Sequence, residues 1–593
     1  MNKNKIIKNF KKLFLLLFLL VLPFSLSSCK FKWNKSDVST FDDYTTSLFA
    51  SVLGNDEFTL HWLLKQQEDF GFNEHGNVSL PTPSNPSILS SVAINYLFGK
   101  VESYDYNELN FDQKMTYNVI SDLLLNYNSK TPEMSYLSNN YLGSYLGYQA
   151  QLPLLLSEYK FYDESDIEYY FKFMDIVPET FKQYVDYEYK KADKGYGMPD
   201  YVIDKVINQC VEFVKESSDH FLIKTFDARI DNLNLTNEKK IYYIEENIKR
   251  VTGSLCDGYK YVRDNLGALK GKATNNLGLA HYDIGKEYYR IKFRDATGYD
   301  ISIEDAIAYV DTKLNSCIAE LRALINSDPE LVNKLEKTTL MNITPKEQLE
   351  LYKDEIINHF PAIEKYPNIN VKYIDPSMEN HFSPAAYMTS PLDDYTDEYI
   401  YLNNAKINGD YNYLYTTLAH EGIPGHMYQN IYFKTLNVNP LRKVLKNSGY
   451  TEGWATYAEI YSYNFCKDFD QNVIKYLKLN DLINGILTAR LDLGIHYEGW
   501  TIDNLLSFLS NYFKGYTYEK AQKIFEQLVE VPTNSQMYYF TYFKINDMYE
   551  KAKTSLKDNF NEIEFHKLLL DCGPVPLRYV EIVVDEYISN HKN

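Results

Sequence analysis

"LAHEGIPGHMYQ", residues 418–429, sets Glu421 directly after His420 and brings the next histidine only at His426. A zinc-binding helix ordinarily spaces its two histidines four apart, which turns both rings to one face. Each helical residue turns about 100°, so residues six apart diverge by about 120° and cannot share an ion on an unbroken helix. The residues between Glu421 and His426 are Gly422, Ile423, Pro424 and Gly425. Glycine permits unusual backbone angles and proline removes a hydrogen-bond donor, so this insert is built to disturb a helix. The spacing predicts a two-residue bulge that returns His426 toward His420. The bland alternative is a chance His-Glu pair with an unrelated histidine downstream.

Residues further along the chain argue against chance. A hydrolytic zinc site takes three protein ligands, keeps one position open for water, and needs a neighbouring carboxylate to accept the water's proton. Glu421, next to the first histidine, stands where that base belongs. "TEGWATYAE", residues 451–459, offers Glu452 and Glu459, seven apart and therefore within about 20° of one helical face. One can bind the metal while the other orients a histidine through its second nitrogen. A solvated helix-face carboxylate is the plain alternative for Glu459.

Around this core the patterning is mostly helical. "PDYVIDKVINQCVEFVKESSD", residues 199–219, places Val202, Val206, Ile207, Cys210, Val211 and Val214 at helical spacing, and Ser302 is a candidate N-cap three residues ahead of Asp305. From residue 411 onward "YTEGWATYAEIYSYNF", "YLKLNDLINGILTARLDL" and "FHKLLLDC" read as helices. The texture changes between 365 and 403, where "NVKYID" and "DEYIYLN" have strand composition and are separated by turn residues, predicting a small sheet just before the histidine motif. The 55 tyrosines read as packing and loop anchors.

The chain opens "MNKNKIIKNFKKLFLLLFLLVLPFSLSSC": a lysine-rich start, an apolar run from Leu13 to Leu22 too short to span a bilayer, and small residues up to Cys29. Leu26-Ser27-Ser28-Cys29 resembles the bacterial lipobox, whose cysteine is lipidated and becomes the mature N-terminus. An ordinary signal peptide with an incidental cysteine is the alternative. Loss of residues 1–28 removes five lysines and takes the formal net charge from −19 to −24. A surface of that sign repels phosphate backbones, so no nucleic-acid partner is expected. The other five cysteines, Cys210, Cys256, Cys317, Cys466 and Cys572, are odd in number and scattered without a CxxC spacing, which argues against a disulfide framework and a cysteine-based zinc site. With 593 residues, two or more lobes are expected.

"HEGIPGH", "EGWATYAE" and "DLGIHYEGW" together resemble the bacterial DUF885 family, zincin-like metallopeptidases of the gluzincin group. "FTLHWLLKQQEDFGF" (58–72), "GKEYYRIKFRDATGYD" (285–300), "SPAAYMTSPLDDYTDEYIYLN" (383–403) and "GPVPLRYVE" (573–581) are similar to family segments as well. The resemblance implies one Zn²⁺ per chain on His420, His426 and Glu452, with Glu421 as base, which leaves Glu459 as the carboxylate to orient a histidine. It places His496 of "GIHYEGW" near the cleft as a candidate to stabilise the oxyanion, with a structural histidine as its alternative. Tyr538 of "PTNSQMYYFTYFKI" is a second candidate, although Thr541 stands where the family has glycine, and Tyr539 or Tyr542 could take its place. Arg490 is a further candidate for binding a substrate carboxylate. Gluzincins pair extended substrate with a sheet edge beside the zinc helix, a use open to "DEYIYLN", whose alternative is an ordinary buried strand.

The expectation is therefore a mainly α, two-lobed, gluzincin-like metallopeptidase with a small sheet beside the active-site helix. It comprises a lipoprotein signal peptide (1–28), a tether (29–45), a helical N-terminal lobe (46–340) and a zinc-binding catalytic lobe (341–593). Its expected function is zinc-dependent hydrolysis of short peptides outside the cytoplasm, on the bacterial cell membrane through lipidated Cys29. Competing readings are a non-catalytic peptide-binding surface lipoprotein and a zinc amidohydrolase acting on a non-peptide amide.

Overall fold

Helices dominate, and their ends follow local chemistry. In a computed structural model of the chain, the residues described are 40–592 except 55, 74, 84–97, 139, 216–219, 377–378, 380–381 and 514. The leader and Cys29 lie outside them. The principal helices are, in chain order, α1 (Glu164–Asp193), α2 (Asp200–Lys215), α3 (Gly285–Thr297), α4 (Ile303–Ser327), α5 (Tyr411–Glu421), α6 (His426–Thr435), α7 (Ser448–Tyr461), α8 (Gln471–Leu493) and α9 (Thr541–Leu556). Ser302 caps α4, its Oγ accepting the Asp305 N–H at 3.0 Å. Asn447 caps α7 in the same way through Tyr450 N–H at 3.0 Å, and Asp410 caps α5 through Tyr413 N–H at 3.1 Å. Each cap satisfies an amide that the helix itself leaves open.

The sheet has three strands, β1 (Asn368–Tyr373), β2 (Ala385–Met388) and β3 (Asp397–Leu402), in the order β1-β3-β2. β3 is parallel to β1 and antiparallel to β2, with Tyr387 opposite Ile400 and Met388 opposite Tyr399. β3 is thus the central strand. The expected use of "DEYIYLN" as a free edge is corrected on this point, because its backbone groups are paired on both sides. β1 and β2 are the edge strands, and the four residues of β2 are too few to announce themselves by alternation.

Alternate side chains leave opposite faces of a strand, and here the two faces enter two different apolar clusters. Ala385, Tyr387, Ile400 and Leu402 join a cluster built with α3 to α9 and with residues 41–134. Ala386, Met388 and Tyr401 join a second cluster built chiefly from α1, α2 and the helical segments up to Leu269. Residues from both sides of position 340 enter both clusters. Among the described residues the five cysteines are buried and free, and no helix is long and apolar enough to cross a membrane.

Candidate metal centre

The helix carrying His420 does not bulge. It stops at Glu421, and a new helix begins at His426. Gly422 and Gly425 take ψ values of −106° and −133°, far from helical, and the Ile423–Pro424 peptide is cis. The predicted two-residue bulge is therefore replaced by a full break, which reaches the same end by letting α6 start in a new direction. The turn is tightly held. Tyr428 N–H donates to Gly422 O at 3.1 Å, and Trp454 Nε1 on α7 donates to Pro424 O at 2.9 Å. A Cβ on Gly425 would lie 1.9 Å from His420 O, so no other residue fits without moving α5. Gly425→Ala is expected to destabilise the fold by about 3 kcal/mol, since neither backbone can retreat. Denaturant unfolding checks this, and a change below about 0.5 kcal/mol, the scatter of inert surface substitutions, would contradict the packing.

The break brings three ligand types together. His420, His426 and Glu452 each offer an atom, and these lie within 4.8 Å of one another. Glu452 Oε2 is 3.7 Å from His420 Nε2 and 3.5 Å from His426 Nε2. Ligand atoms about 2.0–2.1 Å from a tetrahedral zinc stand about 3.4 Å apart, so the separations match such an ion. All three residues are buried. The two Nε2 atoms and Glu452 Oε2 are also buried without a hydrogen-bond partner among the described residues. Three converging orphan atoms, two imidazole nitrogens and one carboxylate oxygen, fit a divalent zinc ion.

The surroundings orient this set. Glu459 Oε2 lies 3.1 Å from His420 Nδ1, which turns Nε2 toward the centre. Burial alone would lower the pKa of His420, but Glu452 and Glu459 outweigh it and push it up to about 10. Burial likewise opposes charge on Glu452, yet His426 and His420 hold its carboxyl below the usual range. Glu421 responds in the opposite sense: burial prevails over the attraction of the two histidines, and its carboxyl is raised. Its Oε2 accepts the backbone N–H of Tyr387 at 2.7 Å. That amide points away from β3, so the outer edge of β2 faces the site.

Tyr538 lies in the π turn Gln536–Phe540, its ring stacked near His420 with centroids 6.0 Å apart. Tyr539 packs against α8, where a Cβ on Gly485 would lie 1.9 Å from its ring, and Tyr542 sits in the first turn of α9 against Phe543. Of the three tyrosines, Tyr538 is the one whose ring stacks on a candidate ligand. Thr541 is accommodated by a glycine opposite it: a Cβ on Gly453 of α7 would lie 2.8 Å from Thr541 Oγ1.

Two candidates are corrected. His496 is fully buried, its Nδ1 accepts Leu279 N–H at 3.1 Å, and its Nε2 faces Leu528 O at 2.9 Å. Both ring nitrogens are committed to backbone, and burial pushes its pKa down, so it is a neutral structural bridge with nothing left for an oxyanion. Arg490 forms ion pairs with Asp311 at 2.8 Å and Glu498 at 2.6 Å and stacks over Trp500. A guanidinium so occupied does not receive a substrate carboxylate.

Sequence reading passed over Asp492, Gln536 and the Tyr387 amide. Buried Asp492 accepts hydrogen bonds from Tyr289 Oη at 2.5 Å, Thr533 N–H at 2.9 Å and Gln536 Nε2 at 3.0 Å. This ties α3 and the start of the π turn to α8 and so fixes where Tyr538 stands. A backbone amide carries no residue signal, and Asp492 hid one turn before the more conspicuous His496.

The comparisons agree with this architecture. A solved structure from Colwellia psychrerythraea, described as that of a "putative lipoprotein", superposes with a TM-score of 0.79 at 17% identity, covering 93% of this chain and 100% of that one. Another from Shewanella oneidensis, described as "a putative lipoprotein of unknown function", gives a TM-score of 0.58 at 15% identity over 92% of this chain and 99% of that one. At such identities the likeness concerns the fold. No curated protein matches the chain. The bacterial family of unknown function DUF885 matches residues 93–584, so the chain belongs to the DUF885 family.

Proposed function

We propose that this protein is a gluzincin-type zinc metallopeptidase that hydrolyses peptide bonds in short peptides outside the cytoplasm. The observation that carries the reading is the convergence of orphaned His420 Nε2, His426 Nε2 and Glu452 Oε2 beside a buried carboxylate, Glu421, whose pKa burial keeps raised. When bound there, zinc supplies Lewis acidity, polarising a carbonyl and lowering the pKa of water.

The chain's own groups do the rest. Glu421, raised by burial, is suited to accept the proton of the attacking water and deliver it to the leaving amine, since a general base works best with a pKa near the ambient pH. The Tyr387 N–H fixes one of its oxygens and leaves Oε1 as the atom that carries the proton. Glu459 holds His420 in the tautomer a metal requires. The outer edge of β2 gives an extended substrate a backbone to align with, next to Glu421. The Tyr538 hydroxyl, on the ring stacked near His420, donates a hydrogen bond to the oxyanion. Tyr538→Phe is therefore expected to lower kcat about 10²-fold with zinc content unchanged, as loss of a single oxyanion donor does. Steady-state kinetics with metal analysis checks this, and full turnover by Tyr538→Phe would remove the residue from the mechanism.

The lysine-rich leader and Cys29 support export and lipid anchoring, as does the description of both structural neighbours as putative lipoproteins. The test of the function is digestion of a peptide library by the zinc-loaded protein, with products read by mass spectrometry. Zinc-dependent cleavage is expected. An intact library in the presence of stoichiometric zinc would leave a binding protein or a hydrolase of another amide.

A further inference from the structure

A cavity lined by none of the groups at the metal centre lies where the two apolar clusters meet. It measures about 120 Å³ and is lined from α1 and α2 on one side and from Leu277, Leu279 and residues 529–532 on the other. A dry cavity of about 150 Å³ is enough to hold benzene, so this one has room for a side chain of leucine size or slightly larger. Leu142, Met198, Val202, Leu279 and Val531 give it apolar walls.

Among the polar groups that interrupt those walls, three have bonding capacity to spare. Lys191, only 6% exposed at its side chain, donates to Glu188 Oε1 at 3.2 Å and to Asn140 Oδ1 at 3.5 Å. An ammonium has three donors, and among the described residues the third has no acceptor. Across the cavity, Glu530 accepts the N–H and O–H of Ser144 at 2.5 and 2.6 Å. Lys205 Nζ stands off at 3.9 Å. The Tyr145 N–H also bonds to it, and a carboxylate offers about four lone-pair sites, so one further donor can be received. Burial raises the Glu530 carboxyl, a cost that a cation placed beside it would relieve. The third group, the Tyr201 hydroxyl, is buried with no hydrogen-bond partner among the described residues. Empty polar capacity of both signs at the edges of an apolar hole marks a site shaped for a small zwitterion.

We propose that this cavity binds a free α-amino acid or dipeptide with an apolar side chain. The carboxylate of the ligand accepts from Lys191, its ammonium donates to Glu530 and Tyr201, and its side chain fills the space beneath Val202 and Leu279. The site is independent of the metal centre and does not rest on the peptidase reading.

Titration calorimetry with L-leucine, L-phenylalanine and Leu-Leu tests this on the unmodified protein. Saturable binding of one molecule per chain is expected for at least one of the three. N-acetyl-L-leucine and L-leucinamide, each lacking one charge, should bind at least about tenfold more weakly than L-leucine, as should L-leucine to Lys191→Met, each having lost one charged hydrogen bond. Affinity should be unchanged in His426→Ala, which removes one metal ligand, when measured well below the unfolding temperature of that variant. Absence of saturable binding by all three ligands, equal binding of the blocked forms, or loss of binding in His426→Ala would each overturn the proposal. The blocked ligands keep the test decisive should Lys191→Met fail to fold.

Discussion

Glu421→Gln is expected to retain one zinc per chain while kcat falls by about 10³-fold or more, at the upper part of the range for loss of a positioned general base. The substitution is nearly isosteric, and its amide oxygen can still accept the Tyr387 N–H, so the turn between α5 and α6 should stand. The metal set excludes Glu421, which leaves binding intact. What disappears is the carboxylate whose position beside the two histidines and whose burial together suit proton transfer. Single-turnover kinetics with parallel zinc analysis measures both quantities. Undiminished turnover would assign the base to another group, whereas loss of zinc would show that Glu421 is a ligand.

His426→Ala addresses the other half of the site and should abolish stoichiometric zinc. His426 stands at the first position of α6, and its Nε2 has no hydrogen-bond partner among the described residues. Removing it leaves two ligands, and Glu452 loses the nearer of its two histidine neighbours. A ligand at a thousand times its Kd stabilises the folded state by about 4 kcal/mol, so the variant should also lose the zinc-dependent rise in thermal stability that the wild type displays. Thermal unfolding with and without zinc reads this directly. A zinc-dependent shift as large in His426→Ala as in the wild type would place the ion elsewhere.

Local chemistry is what the sequence made legible. Caps such as Ser302 and the periodicity of residues 202–214 marked helices because the signal lies within a few residues, but the periodicity blurred the buried face, since Val211 is exposed while Ile203 and Phe213 are buried. The Gly-Ile-Pro-Gly insert disclosed that the helix must change course at Glu421, although not that it would end outright. Glu452 and Glu459 could be paired because helix geometry alone sets them on one face. Distant partners left no such trace. His496 looked catalytic because its neighbours, Leu279 and Leu528, are 217 and 32 residues away and engage it through backbone atoms. Arg490 misled for a similar reason, with Asp311 179 residues distant. β2 escaped notice because four residues cannot express a period, and its role at the site is played by an amide that every residue but proline possesses.

His420, His426 and Glu452 holding zinc is the central claim. Elemental analysis of the purified full chain, after exposure to zinc and removal of the excess, tests it most directly. One zinc per wild-type chain, and none in His426→Ala, is the predicted result. A wild-type protein that retains no zinc, or a His426→Ala protein that retains as much, would contradict the claim.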